Sequence, residues 1–203
     1  MIAIIDYGVG NLASVQKAFE FIGEEAIITN DRESILKASH VVLPGVGAFF
    51  EAMKRLKAAN VDEVVKEVIK ENIPFLGICL GMQLIMDVST EGGIETPGLG
   101  LIPGKVDIFP DNLGLKIPHM GWNSIDVNKQ SRLLKGLPEK AYVYFVHSFY
   151  CKAQERRDVA ATSNYGISFD AACEKGNIFA TQFHPEKSGD IGLQILKNFA
   201  AIY

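Results

Sequence analysis

The apolar positions change their rhythm part-way along the chain. In the first half, short apolar runs alternate with stretches in which apolar residues recur every three or four positions. Met1–Ile5, Ala26–Ile28, His40–Leu43 and Phe75–Ile78 have the continuity of strands buried on both faces. The stretches between them predict helices over Leu12–Ile22, Asp31–Lys37, 48–58 and 62–71. Another helix opens directly after Phe75–Ile78, with Leu80, Gln83, Leu84 and Met86 on one side. Strands and helices in alternation predict an α/β fold built on an open, mostly parallel sheet flanked by helices.

Beyond Glu91-Gly92-Gly93 the pattern is different. A loop containing Pro97, Gly98 and Gly100 leads into short strand-like runs at Leu101–Phe109, Trp122–Val127, Tyr142–Val146, Val159–Thr162, Phe169–Glu174 and Ile178–Phe183. Turn residues separate them, so an antiparallel or mixed β region is expected to extend the sheet. The last element, Gly189 to Ile202, returns to helical spacing through Ile191, Ile195, Leu196 and Phe199. No linker, repeat or low-complexity segment divides the chain, so residues 1–203 are expected to form a single domain.

Composition narrows the function classes. With 203 residues, 48% apolar, 22% charged and a formal charge of −4, the chain has no cluster of Lys and Arg suited to nucleic acid or acidic lipid. Cys79, Cys151 and Cys173 are an odd set without a Cys-x-x-Cys pair, which argues for a reducing compartment and against a disulfide framework or zinc site. No basic-then-apolar leader and no long apolar run is present, so neither a signal peptide nor a membrane span is expected, and the expected location is the cytoplasm.

The candidate chemistry centres on Gly77-Ile78-Cys79-Leu80-Gly81-Met82-Gln83. Small residues two before and two after Cys79 suit a sharp strand-to-helix turn that lifts a nucleophile above a sheet. A buried structural cysteine fits the local sequence as well. Far downstream, the strand Ile178–Phe183 runs into His184-Pro185-Glu186. In an extended chain residues i and i+2 share a side, which would let Glu186 orient one imidazole nitrogen while the other faces a thiol. Pro44-Gly45-Val46-Gly47-Ala48-Phe49 forms a Gly-rich turn off another strand and reads either as a plain loop or as a strip of backbone N–H donors. Near the N-terminus, Gly8-Val9-Gly10-Asn11 marks a turn with Asn11 as N-cap; the missing third glycine argues against a dinucleotide site. His40, at a strand entrance, reads as structural.

The Cys79 and His184-Pro185-Glu186 segments together resemble the class I, triad-type glutamine amidotransferases. Ile5–Leu12, Leu43–Phe49, Pro118-His119-Met120-Gly121-Trp122-Asn123, His147-Ser148-Phe149-Tyr150 and Glu186-Lys187-Ser188 narrow this to the glutaminase subunits of imidazole glycerol phosphate synthase. The resemblance implies Cys79 as nucleophile, His184 as base and Glu186 as its orienting acid. It places Gln83, Glu91, Ser148 and Phe149 at substrate-binding positions. For the oxyanion, Leu80 N–H is the natural first donor, and the Val46–Gly47 turn supplies the second. His147 is read as structural, and Trp122 as either a core aromatic or part of a partner face. The resemblance further implies no metal or cofactor, and a separate (β/α)8-barrel cyclase that receives ammonia and makes imidazole glycerol phosphate and aminoimidazole carboxamide ribotide. Other acceptors, or a cysteine peptidase on a related scaffold, are the competing readings.

Overall fold

A computed structural model describes all residues from Met1 to Tyr203. Its first half alternates strand and helix: β1 (Ile2–Ile5), α1 (Leu12–Phe21), β2 (Ala26–Thr29), α2 (Arg32–Leu36), β3 (His40–Gly45), α3 (Phe49–Ala58), α4 (Val61–Lys70), β4 (Phe75–Cys79) and α5 (Leu80–Leu84). Two short strands follow, β5 (Val88–Ser89) and β6 (Thr96–Pro97), then β7 (Gly104–Ile108), β8 (His119–Val127), β9 (Lys140–His147) and β10 (Phe149–Ala153). The chain closes with β11 (Val159–Tyr165), β12 (Ile167–Lys175), β13 (Ile178–Thr181) and α6 (Gly189–Ala200).

All these strands join one sheet, whose parallel part runs β2-β1-β3-β4-β13. The strands β1, β3, β4 and β13 are buried along their whole length, as their unbroken apolar runs require. From β13 the sheet continues through antiparallel β12, β10 and β7, while β11, β8 and β9 branch off as a second ribbon. Two apolar layers sandwich the parallel strands. One holds Phe49, Leu56, Val65 and Val68 of α3 and α4; the other holds Val15 and Phe19 of α1 with Ile195, Leu196 and Phe199 of α6. No helix is long and apolar enough to cross a membrane.

The expected architecture therefore holds, with local differences. Asn11 precedes α1 but its side chain makes no capping hydrogen bond. Strand β7 begins only at Gly104. Strand β10 was not anticipated, because a single residue, Ser148, separates it from β9. His40 is buried, its Nε2 2.8 Å from the Ile202 carbonyl.

Three adjacent parallel strands end at the same edge: Gly45 of β3 lies beside Cys79 of β4, and Thr181 of β13 beside Ile78. The carboxyl edge of such a sheet is where an open α/β fold binds ligands.

Candidate active site

Cys79 occupies the junction between β4 and α5 with φ 55° and ψ −110°, a region that costs a non-glycine residue on the order of 1–3 kcal/mol. Its flanking glycines make the turn possible by close approach. A Cβ on Gly81 would stand 1.9 Å from the Leu43 carbonyl oxygen, and one on Gly77 2.8 Å from that of Gly81. Any side chain at these positions would push α5 off the ends of β3 and β4. The other two cysteines, Cys151 and Cys173, are fully buried in β10 and β12, and burial raises the pKa of both thiols.

His184 leaves β13 and points its Nδ1 at Glu186 Oε1, 2.7 Å away. The contact arises differently from the extended-chain expectation. Pro185–Lys187 form a 3-10 turn, so Glu186 curls back onto the imidazole rather than running alongside it. Ser188 pins this turn: its Oγ donates to the His184 carbonyl at 2.6 Å and accepts from Tyr144 N–H at 3.0 Å. Gly192 of α6 lies so near that a Cβ there would sit 1.8 Å from the Pro185 carbonyl. Burial opposes charge on His184, but the nearby Cys79 sulfur and the Glu186 carboxylate outweigh it and raise the imidazole pKa to about 10. Its Nε2 is buried and makes no hydrogen bond.

A cavity of about 390 Å³ opens in front of these groups, and Val46, Gly47, Cys79, Leu80, Gln83, Glu91, Ser148, Phe149 and His184 all line it. Glu186 stands behind His184, its side chain only 1% exposed. The backbone N–H groups of Val46 and Gly47 engage no backbone carbonyl. Gln83 is buried rather than on a helix surface; its Nε2 donates to the Phe149 carbonyl at 3.2 Å and to Gln182 Oε1 at 3.1 Å. Glu91 belongs to a 3-10 turn and accepts the Phe49 N–H at 2.7 Å.

Gln182 is a neighbour of Cys79 that the sequence reading missed. It is fully buried and its Nε2 reaches Cys79 Sγ at 4.0 Å. The signal was its place two residues before His184, just past the end of β13 on the run that aims at the site.

The glutamine amidotransferase class-I family matches this chain over residues 3–202. The chain belongs to this family. Among its class-I relatives, the imidazole glycerol phosphate synthase subunit HisH of Geobacter metallireducens is 53% identical over 204 residues, covering 98% of this chain and 97% of the relative. Subunit HisH 1 of Campylobacter jejuni is 51% identical over 203 residues and covers both chains fully. A solved glutamine amidotransferase superposes with a TM-score of 0.76 at 18% identity, covering 99% of this chain and 100% of the other. PurLQS from Thermotoga maritima gives 0.75 at 17% identity, with 98% and 96% covered. At such identities the two structures speak for the fold alone.

Proposed function

We propose that this chain hydrolyses glutamine to glutamate and ammonia as the glutaminase subunit of an imidazole glycerol phosphate synthase, in histidine biosynthesis. The observation that carries the reading is the constellation at the sheet edge. Cys79 stands on a strained turn, and His184, held by Glu186, keeps one buried nitrogen free beside it.

In this reading Cys79 attacks the side-chain amide carbon of glutamine. His184 accepts the thiol proton and passes it to the departing nitrogen, so ammonia leaves and a γ-glutamyl thioester forms. Water, deprotonated by the same imidazole, then releases glutamate and restores the thiol. Glu186 keeps the proton on Nδ1 and stabilises the imidazolium. The negative oxygen of each tetrahedral intermediate needs backbone donors, and the N–H groups of Leu80 and of the Val46–Gly47 turn are assigned to it. Glu91 is set against the substrate ammonium, Gln83 against a polar end, and Ser148 and Phe149 against its α-carboxylate.

The acceptor of the ammonia is a separate (β/α)8-barrel cyclase, and the chain works as a single domain in the cytoplasm. Support for a docked partner lies next to the pocket. Met120 and Trp122 of β8 and Tyr142 of β9 share one face of the ribbon and are 58%, 58% and 60% exposed. An apolar patch beside the site marks an interface and would shield ammonia from water.

The deciding experiment measures glutamine turnover with and without the cyclase, for the wild type and Cys79→Ala. The variant should lose glutamine-dependent activity while the complex still uses ammonium salts. Retained glutaminase activity in Cys79→Ala would remove Cys79 from the mechanism.

A further inference from the structure

A directed line of hydrogen bonds enters the pocket wall from β8. Asn123 Nδ2 lies 3.2 Å from His119 Nε2, His119 Nδ1 2.9 Å from His147 Nε2, and His147 Nδ1 2.7 Å from the Phe149 carbonyl oxygen. Both imidazoles are buried, at 3% and 6% exposure. Aromatic rings enclose them: Tyr165 and Phe145 stack on His119 at 4.1 and 4.8 Å, and Phe169 and Phe109 flank His147 at 5.2 and 5.3 Å.

The proton on each ring follows from the ends of the line. A carbonyl only accepts, so His147 Nδ1 donates to Phe149. At the other end Asn123 is fixed: its Oδ1 accepts from Ser124 N–H at 2.8 Å, and its Nδ2 also donates to the Asn164 carbonyl at 2.9 Å. His119 Nε2 therefore meets a donor and must be unprotonated. That leaves His119 Nδ1 to donate to His147 Nε2. An imidazolium at either position would bring two N–H groups face to face somewhere along the line.

The receiving carbonyl is close to the chemistry. Phe149 O also accepts from Gln83, which holds Gln182, whose amide reaches Cys79 Sγ. We propose that His119 and His147 are positioning residues: two neutral imidazoles, each protonated on Nδ1, that fix the Phe149 carbonyl and with it the Ser148–Phe149 wall against which glutamine binds. This deepens the glutaminase reading, on which the kinetic part of its test rests.

The test uses the full chain with its cyclase and compares His147→Asn, His147→Gln and His147→Phe. An Asn amide nitrogen falls where Nδ1 was and keeps the donor to Phe149; a Gln amide reaches the Nε2 position and loses it. His147→Gln and His147→Phe should raise the KM for glutamine by roughly five- to tenfold, the effect of one lost hydrogen bond, with ammonia-dependent turnover unchanged. His147→Asn should recover most of that loss. Equal KM values in all three variants, as a space-filling role would give, overturn the proposal. The 15N shifts of the wild-type imidazoles supply a readout independent of activity. Nδ1–H on both rings is expected, and Nε2–H on either overturns the assignment. A wild type that consumes no glutamine would instead defeat the glutaminase reading, and the shifts alone would then decide the pair.

Discussion

Glu91 and Phe49, 42 positions apart in the chain, are joined by a 2.7 Å hydrogen bond from the Phe49 N–H to the Glu91 carboxylate. The bond ties the turn that opens β5's far side to the first residue of α3, directly after the Val46–Gly47 turn. One carboxylate thus anchors the donor loop and faces the pocket. Glu91→Gln keeps an acceptor for Phe49 but loses the charge, so the KM for glutamine should rise while kcat holds. Glu91→Ala loses both and should lower kcat as well. Identical kinetics in the two variants would separate the anchor from catalysis.

Glu186→Gln preserves the shape of the turn and removes the charge that stabilises an imidazolium. By analogy with other triads, turnover should fall by up to ~10⁴-fold with little change in substrate binding. Steady-state kinetics on the complex checks this. A loss of less than about tenfold would leave Glu186 without the orienting role that triads assign to it.

Val46→Pro deletes one backbone N–H beside the pocket. Removing a single oxyanion donor should cut the glutamine-dependent rate by roughly 10²–10³-fold. Glycines on both sides let the Gly45–Val46 peptide rotate at little cost, and we propose that its N–H turns inward when the cyclase holds its own substrate. Complex formation and ammonia-dependent activity are the controls for loop distortion. An unaltered glutamine-dependent rate with both controls intact would put the donor elsewhere.

Stability should fall on the acid side for a reason that lies in the β8–β9 ribbon. Burial lowers the pKa of His119 to about 4 and, together with its neighbours, that of His147 to about 3. In the unfolded chain both titrate near the ordinary value of about 6.5. Below that value the unfolded chain binds protons that the fold refuses. The stabilisation is full above about pH 6.5 and is lost as the pH falls toward the two folded values, with a slope of up to ~1.4 kcal/mol per pH unit for each imidazole. His184 has the opposite sign: its pKa is raised from about 6.5 to about 10, so its contribution is full below about pH 6.5 and is lost as the pH rises from there to about 10. Urea midpoints across pH 4–7 should therefore drop more steeply in the wild type than in a His119→Phe/His147→Phe double variant, and parallel curves would count against this account.

The sequence made the parallel half of the fold legible because β1, β3, β4 and β13 are buried on both faces and read as unbroken apolar runs. Cys79 was legible for a similar local reason, since the turn it occupies demands Gly77 and Gly81 within two positions of it. What stayed hidden depends on partners distant in the chain. The Gln83–Gln182 bond spans 99 positions and the His119–His147 bond 28, and no local period announces either. The i, i+2 spacing of His184 and Glu186 pointed to the right contact through the wrong conformation, because Pro185 starts a 3-10 turn instead of prolonging β13.

The unequal burial of the three cysteines has a practical use. Cys151 and Cys173 lie sealed inside the sheet with thiols that resist ionisation, whereas Cys79 opens onto the cavity. An electrophile shaped like glutamine should therefore attach once per folded chain and at Cys79, so the mass added to a preparation counts its competent molecules directly.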